Sequence, residues 1–344
     1  MSSNLFQPIA WDTTMSQEEF ARYIRIADSQ VATSPFMMKR IKNCFYEQHE
    51  YSVPKEALDK VWNCVAPALE KNAGLAEFTN DYEGALSEYF FPWLIMLRTS
   101  QSEALMLAYG LCRNLRGEVR LVADDDPIML FVKYDPTFVA ARVRALRIAN
   151  LATLARLVIP NGARSKVIDL GAGRMPWARF HGFEFDMARQ EVLAFDKDTS
   201  IVPEELLGVM ASEECFKYRH LDIFSALTRR ECNNANLAIL SGVASYMEMS
   251  VLKERIVKPL HRLLRPGGLF FFDLQLDCVY YRRSMKIFSW PELRLERDKD
   301  AVVDKIANMV DEIKQEGYGF SLETEVIRYD GTPTNVFVQL TKEL

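Results

Sequence analysis

Short apolar runs alternate with longer amphipathic segments through the last two thirds of the chain. The predicted strands lie at 167–170, 191–196, 216–221, 237–240 and 269–273, and all of them except 216–221 are mainly apolar. Apolar runs of this length are typical of strands that a parallel sheet buries on both faces. The spacing therefore predicts an alternating α/β domain in which helices connect parallel strands.

The longest helical pattern is Phe138–Val158, directly before the first of these runs. Its wide apolar stripe comprises Val139, Val143, Leu146, Ala149, Leu151, Leu154 and Leu157. Arg142, Arg144 and Arg147 are predicted on the other faces of this helix.

The C-terminal residues complete the predicted sheet. Pro291–Glu316 has the pattern of a long charged helix, and Phe320–Tyr329 and Val336–Thr341 alternate as strands. The turn sequence Asp330-Gly331-Thr332-Pro333 joins these two strands as a hairpin.

The first third of the chain has helical spacing instead of strand runs. Ser16–Phe20 has a helix-start signal, and Leu105–Leu115 is predicted as a helix that ends near Gly117. Asp124–Pro127 is a charged, turn-forming linker. We therefore predict a mainly helical domain over residues 1–130 and an α/β domain over residues 131–344.

The first strand leads into a glycine-containing turn. Asp169 interrupts the apolar run, and Gly171 and Gly173 follow it. Glycines allow a sharp turn and let a ligand approach the backbone without a Cβ in the way. A lone Gly-x-Gly is a weak signal, so its interpretation depends on the elements that follow it.

Those elements end in polar residues at the places where a ligand crevice is expected. The second strand ends in Asp196, a little over twenty residues after the glycines, where a carboxylate can accept hydrogen bonds from a ribose diol. Asp222-Ile223 follows the third strand, and Ser241-Gly242 follows the fourth. Pro266-Gly267-Gly268 is predicted as a turn after a helix end, directly before the fifth strand.

In this order the motifs resemble those of the class I S-adenosylmethionine-dependent methyltransferases. That family carries Asp-x-Gly-x-Gly on its first strand, an acid at the end of the second, Asp beside an apolar residue after the third, and a Pro-Gly-Gly turn before the fifth. The resemblance covers about residues 137 to 344. It implies a doubly wound, mostly parallel seven-stranded sheet, the Rossmann-like methyltransferase fold, with the helical domain ahead of it.

The resemblance also implies S-adenosylmethionine as the cofactor. Asp169, Gly171 and Gly173 would frame its methionine portion, and Asp196 would take the ribose hydroxyls. Asp222 with Ile223 would meet the adenine, and Ser241 would lie under the transferring methyl group. Ordinary structural roles are the alternatives: Asp196 as a helix cap, Asp222 as a solvated turn acid, and the glycines as turn residues only.

One departure from the family pattern leaves the chemistry open. Met175 stands where many members have a third glycine, and Pro176 and Trp177 follow it. A Gly-x-Gly-x-x-Pro loop is also similar to that of the nicotianamine synthases, which transfer the aminocarboxypropyl arm of the same cofactor. The alternatives to methyl transfer are therefore aminocarboxypropyl transfer and a catalytically inactive, cofactor-binding partner protein.

The acceptor side is less defined. His181 and His220 are the histidines near the predicted crevice and are candidates for the base. Tyr246, after the fourth strand, is the third catalytic candidate. The sequence identifies neither the acceptor nor the atom that is methylated.

Composition favours a small-molecule substrate. The chain has 344 residues and a formal net charge of −5, whereas a nucleic-acid-binding surface needs a basic stripe. We expect the aromatic-rich N-terminal helices to form either a lid over the crevice or a homodimer interface. The six cysteines of the chain are scattered without a metal-binding cluster, so we expect reduced thiols and no metal. No leader or membrane span is apparent, which predicts a cytoplasmic protein.

Overall fold

A computed structural model describes part of the chain. The described residues are 50–51, 111–113, 119–121, 136–157, 163–173, 175, 177, 190–199, 215–278, 281–282, 298–329 and 331–343. Most of the predicted helical domain, the linker at Asp124–Pro127 and the candidate base His181 lie outside these ranges.

The strands form one large sheet with helices on both faces. In chain order they are β1 (Glu50–Tyr51), β2 (Leu111–Arg113), β3 (Val119–Leu121), β4 (Ser165–Leu170), β5 (Gln190–Asp196), β6 (Phe216–His220), β7 (Ala235–Leu240), β8 (Leu264–Gln275), β9 (Phe320–Tyr329) and β10 (Thr332–Lys342). The sheet order is β1-β9-β10-β8-β7-β4-β5-β6, and β2 pairs with β3 separately. Within the sheet as described, β10 is antiparallel to both neighbours and every other pairing is parallel. The predicted seven-stranded, mostly parallel sheet is confirmed, with the two-residue β1 added at its edge.

The described helices are α1 (Pro136–Leu157), the single turn α2 (Ile223–Ala226), α3 (Met249–Leu252), α4 (Lys258–Leu263) and α5 (Lys299–Gln315). The π-helical stretch Lys253–Val257 makes α3 and α4 continuous. One core layer packs α1 against side chains such as Val167, Leu237 and Phe271. The other packs α3 to α5 against the opposite faces of the same strands, including Ile168, Ala238 and Phe270.

Two arginines of α1, which the sequence places on faces outside its apolar stripe, are buried in the structure. Arg144 and Arg147 are each 6% exposed. Arg144 pairs with Asp273 of β8, and Arg147 pairs with Glu325 of β9. Because a guanidinium is stable in a core only when it is paired, each partner carboxylate allows the arginine to be buried. The helix is therefore enclosed on more than its apolar stripe.

Two predicted helices also differ from the observed elements. Leu111–Arg113, predicted as helical, is a strand that pairs with Val119–Leu121. The helix predicted from Pro291 begins at Lys299, because the Asp298 carboxylate accepts hydrogen bonds from the amides of Asp300 and Ala301 and caps it.

The predicted Pro-Gly-Gly turn lies inside β8 as a bulge. The pairing of β7 with β8 jumps from Leu264 to Leu269, so the intervening residues leave the ladder. A Cβ on Gly268 would lie 2.8 Å from the Arg265 oxygen and 2.9 Å from the Ala235 oxygen. Only glycine fits there without a backbone shift.

Among the described helices, none combines the length and apolar character needed to cross a membrane. The described cysteines Cys215, Cys232 and Cys278 are buried in the fold.

Candidate functional site

The strand order changes direction between β4 and β7. From β4 the chain proceeds outward through β5 and β6, whereas β7 and β8 lie on its other side. In open α/β sheets such a reversal opens a crevice at the carboxyl ends of the strands. Asp169, Asp196, Asp222 and Ser241 all lie at or just beyond those ends, so the fold brings the predicted cofactor residues to one edge.

The glycine turn after β4 is fixed to the end of β5. Gly171 and Ala172 both donate their amides to the Phe195 oxygen, at 2.8 and 3.0 Å. Gly171 has φ of +69°, and a Cβ placed on it would lie 2.7 Å from Cγ2 of Val243. The glycine therefore permits both the turn and its close contact with the segment after β7.

Asp196 holds this turn from the neighbouring strand. Its Oδ2 accepts a hydrogen bond from the Gly173 amide at 2.8 Å, and its Oδ1 accepts one from the Asp198 amide at 2.9 Å. The residue is half-buried. Because a carboxylate has about four lone-pair sites, two remain for a ligand diol.

Met175 has a backbone conformation that favours glycine, the residue that the family pattern has at this position. Its φ is +47°, a left-handed conformation that normally favours glycine. The side chain is 1% exposed and packs with Val143, Ile148 and Trp177 in the core layer of α1. Burial of the thioether offsets the backbone strain, and the side chain points into the core.

Asp169 is tied to Trp177, a residue that the sequence analysis did not assign to the site. Asp169 is 1% exposed, and its Oδ2 accepts a 2.6 Å hydrogen bond from the Trp177 indole nitrogen. Burial raises the pKa of Asp169 to about 7, although the Trp177 bond acts in the opposite direction. A buried tryptophan usually needs an acceptor for its indole N–H, and this need was the one indication in the sequence that Trp177 contacts a polar group.

This raised pKa predicts a pH-dependent stability. The folded pKa lies above the unfolded value, so the contribution of Asp169 is complete below about pH 4 and is lost as the pH rises to about 7. Asp169→Asn cannot ionise, and we expect it to exceed the wild type in free energy of unfolding at pH 8 by about 4 kcal/mol. Urea denaturation between pH 4 and pH 8 measures this difference.

The exposed Asp304→Asn is the control for that experiment and should follow the wild-type curve. An Asp169→Asn curve parallel to the wild type over the whole range would contradict a buried, titrating carboxylate.

Asp222 caps the single turn α2. Its Oδ1 accepts the amides of Phe224 and Ser225, and its Oδ2 accepts the Ser225 hydroxyl at 2.5 Å. The hydroxyl bond, followed by these amide bonds, lowers the pKa of this exposed carboxyl. Asp222 thus has a structural role at the crevice rim, beside the half-buried Ile223.

The turn after β7 is anchored by a buried ion pair. Asp273 is fully buried, and its Oδ1 accepts the Gly242 amide at 2.7 Å. Its Oδ2 accepts Nη1 of Arg144 at 2.9 Å. A Cβ on Gly242 would lie 3.2 Å from the Arg144 guanidinium, which therefore lies directly against this glycine.

Two further buried groups complete this network. Nδ2 of Asn335 lies 3.4 Å from the Asp273 carboxylate, and its Oδ1 accepts the Tyr281 hydroxyl at 3.0 Å. Burial lowers the pKa of Arg144, but the adjacent Asp273 outweighs it, so the net pKa is raised. Arg144 is therefore positively charged at neutral pH.

The catalytic candidates occupy different parts of the crevice. Tyr246 is 37% exposed, follows the turn after β7 and interacts electrostatically with Arg144. Burial raises the pKa of its phenol, so it remains protonated at neutral pH. His220 is exposed at the end of β6, three strand spacings of about 4.8 Å from β7. The structure therefore places His220 away from Ser241.

No three His, Cys, Asp or Glu side chains converge as a metal site within the described ranges. No family model matches the sequence, and no curated protein matches it significantly.

Among solved structures, the chain is similar to the CMeT domain of the citrinin polyketide synthase, at 12% identity and a TM-score of 0.47, over 96% of this chain and 99% of that one. It is similar to human N-acetylserotonin methyltransferase in complex with SAM, at 13% identity and a TM-score of 0.39, over 83% and 67%. It is also similar to the 16S rRNA (adenine(1408)-N(1))-methyltransferase from Catenulisporales acidiphilia, at 14% identity and a TM-score of 0.37, over 57% and 92%.

Because these identities are low and the TM-scores lie below 0.5, the fold of this chain is defined by its own strands and contacts. The order of the strands, the antiparallel β10 and the glycine turn bonded to an acid of the next strand are the relevant features. They give this chain a doubly wound, mostly parallel Rossmann-like fold, as the sequence predicted.

Proposed function

We propose that the chain binds S-adenosylmethionine in this crevice and transfers its methyl group to a small-molecule acceptor. The observation that carries the proposal is the 2.8 Å bond from the Gly173 amide to the Asp196 carboxylate. It joins the glycine turn to an acid of the adjacent strand, so the turn and a diol acceptor are held side by side. This combination fits a nucleoside with a charged tail.

The residues divide along the crevice. Asp196 would hold the ribose, the rim formed by Asp222 and Ile223 would meet the adenine, and Ser241 would lie on the methyl side. Asp169, Gly171 and Gly173 would frame the methionine portion. The cofactor would supply a methyl group on a positively charged sulfonium. The protein would contribute alignment of the acceptor with that group and exclusion of water.

Tyr246 is the candidate on the acceptor side. Since its phenol stays protonated at neutral pH, it would orient the acceptor by donating a hydrogen bond. His181 remains a candidate for the base, and His220 belongs to the adenosine side of the crevice.

A small acceptor is supported by charge. The net charge of −5 gives no basic excess for docking nucleic acid. We propose that residues 1–130 cover the crevice as a lid or form a homodimer contact, in a cytoplasmic biosynthetic enzyme.

Two alternatives use the same crevice. Aminocarboxypropyl transfer would need the nucleophile aligned with the methionine arm instead of the methyl. An inactive partner protein was favoured only by Met175, whose side chain is buried in the core. That packing removes the reason to expect a blocked loop.

Position-specific labelling of the cofactor distinguishes these functions. The protein is incubated with S-adenosylmethionine labelled either in the methyl group or in the methionine carboxyl, together with separated small-molecule, protein and nucleic-acid fractions of a cell extract. We expect methyl label in the small-molecule fraction. Carboxyl label there would establish aminocarboxypropyl transfer, and methyl label in nucleic acid would contradict the small-molecule acceptor.

Asp196→Ala is expected to weaken S-adenosylmethionine binding by about 1 to 3 kcal/mol, or roughly 5- to 150-fold in Kd. The variant removes the ribose acceptor and the partner of the Gly173 amide. Calorimetric titration measures the change. Glu191 lies on the same strand as Asp196, and its carboxylate pairs at the surface with Lys217 of β6. Glu191→Ala should therefore bind the cofactor like the wild type. Equal affinities for Asp196→Ala and wild type would contradict the ribose assignment.

A further inference from the structure

We propose that the buried Arg144–Asp273 pair sets the electrostatic potential at the methyl side of the crevice, and so determines how the protein distinguishes the sulfonium cofactor from its neutral demethylated product. This inference rests on the proposed function and extends it to two residues outside the cofactor motifs. Arg144 and Asp273 are 129 positions apart in the chain.

The pair adjoins the crevice through two contacts. The Arg144 guanidinium lies against Gly242, and Asp273 accepts that residue's amide at 2.7 Å. The next residue, Val243, is in contact with Gly171 of the cofactor turn. One residue thus separates the ion pair from the wall of the cradle.

The charges of the pair balance each other. Arg144 and Asp273 have side chains 8% and 0% exposed, so water screens neither charge effectively. The neighbouring groups of the pair, which are the Gly242 amide, the Asn335 and Tyr281 side chains and the Tyr246 phenol, are neutral. Removing either charge would leave the other uncompensated beside the place where a sulfonium would lie.

The two changes should therefore act in opposite directions. Asp273→Asn leaves a buried cation, which repels a sulfonium and has little effect on a neutral thioether. Arg144→Gln leaves a buried anion, which attracts the sulfonium. S-adenosylmethionine and S-adenosylhomocysteine differ only in the methyl group and this charge, so their affinity ratio isolates the effect from any general loosening of the site.

The test is calorimetric titration of both ligands into the wild type and the two variants, with folding verified by circular dichroism. We expect the ratio Kd(S-adenosylmethionine)/Kd(S-adenosylhomocysteine) to rise about tenfold in Asp273→Asn and to fall about tenfold in Arg144→Gln. The double variant, which is neutral again, should return to the wild-type ratio, and if one single variant does not fold, the other single variant still tests the inference.

An unchanged ratio in folded single variants, or a double variant displaced from the wild-type ratio, would show a purely structural pair and overturn the inference. If wild-type protein bound neither ligand, the proposed function itself would be wrong.

Discussion

Replacing Asp273 with alanine is expected to lower the free energy of unfolding by about 3 to 5 kcal/mol. The substitution leaves the Arg144 guanidinium buried without its counter-charge. It also removes the acceptor of the Gly242 amide and of the Asn335 side chain. Urea denaturation of variant and wild type gives the difference.

Glu316→Ala is a suitable control because its carboxylate pairs with Lys253 and Lys258 at the surface. Water and salt screen surface pairs of this kind, so this variant should lose little stability. Arg144→Met combined with Asp273→Leu should be more stable than Asp273→Ala alone, because no buried charge remains. A loss below about 1 kcal/mol in Asp273→Ala would contradict a buried ion pair at this position.

Gly171→Ala is expected to abolish measurable cofactor binding. The new Cβ would lie 2.7 Å from Cγ2 of Val243, and the backbone at φ of +69° disfavours any L side chain. Because valine is stiff at χ1, relief requires movement of the cofactor turn or of the turn after β7. Either movement displaces the cradle, so titration with S-adenosylmethionine should give no heat at concentrations that saturate the wild type.

Two further variants separate the steric contact from the backbone conformation. Gly267→Ala has a similar φ of +72° with no atom within 4 Å of the added Cβ, so it should lose only about 1 kcal/mol of stability and retain binding. Val243→Ala introduced with Gly171→Ala should recover part of the affinity. Full binding by Gly171→Ala alone would contradict the close approach of these turns.

The sheet could be predicted because its strands are local patterns. An apolar run such as Ala235–Leu240, buried at every position, identifies itself within six residues. The position of Asp196 at the end of β5 was also predicted locally, from its spacing after the glycines. Asp222 was found by its spacing as well, but its capping of α2 depends on Ser225, and the motif alone does not show that role.

What the sequence did not reveal depends on contacts between distant residues. Helical periodicity places Arg144 outside the apolar stripe but does not show that it is buried. Its burial depends on Asp273 in β8, a partner 129 residues away in the sequence. Trp177 belongs to the site through its hydrogen bond to Asp169, and the sequence indicates that a buried indole N–H needs an acceptor without showing which residue supplies it. The start of α5 could have been predicted from local sequence, because Asp298 is a typical N-cap residue. The charged helical pattern extends further toward the N-terminus, and the prediction followed that pattern to Pro291.

The central claim is that the crevice between the glycine turn and Asp196 binds S-adenosylmethionine, and calorimetric titration of the wild-type chain with this cofactor tests it most directly. We expect saturable heat with one molecule bound per chain, and competition by S-adenosylhomocysteine for the same site. A folded protein that gives no heat with either ligand would contradict the claim.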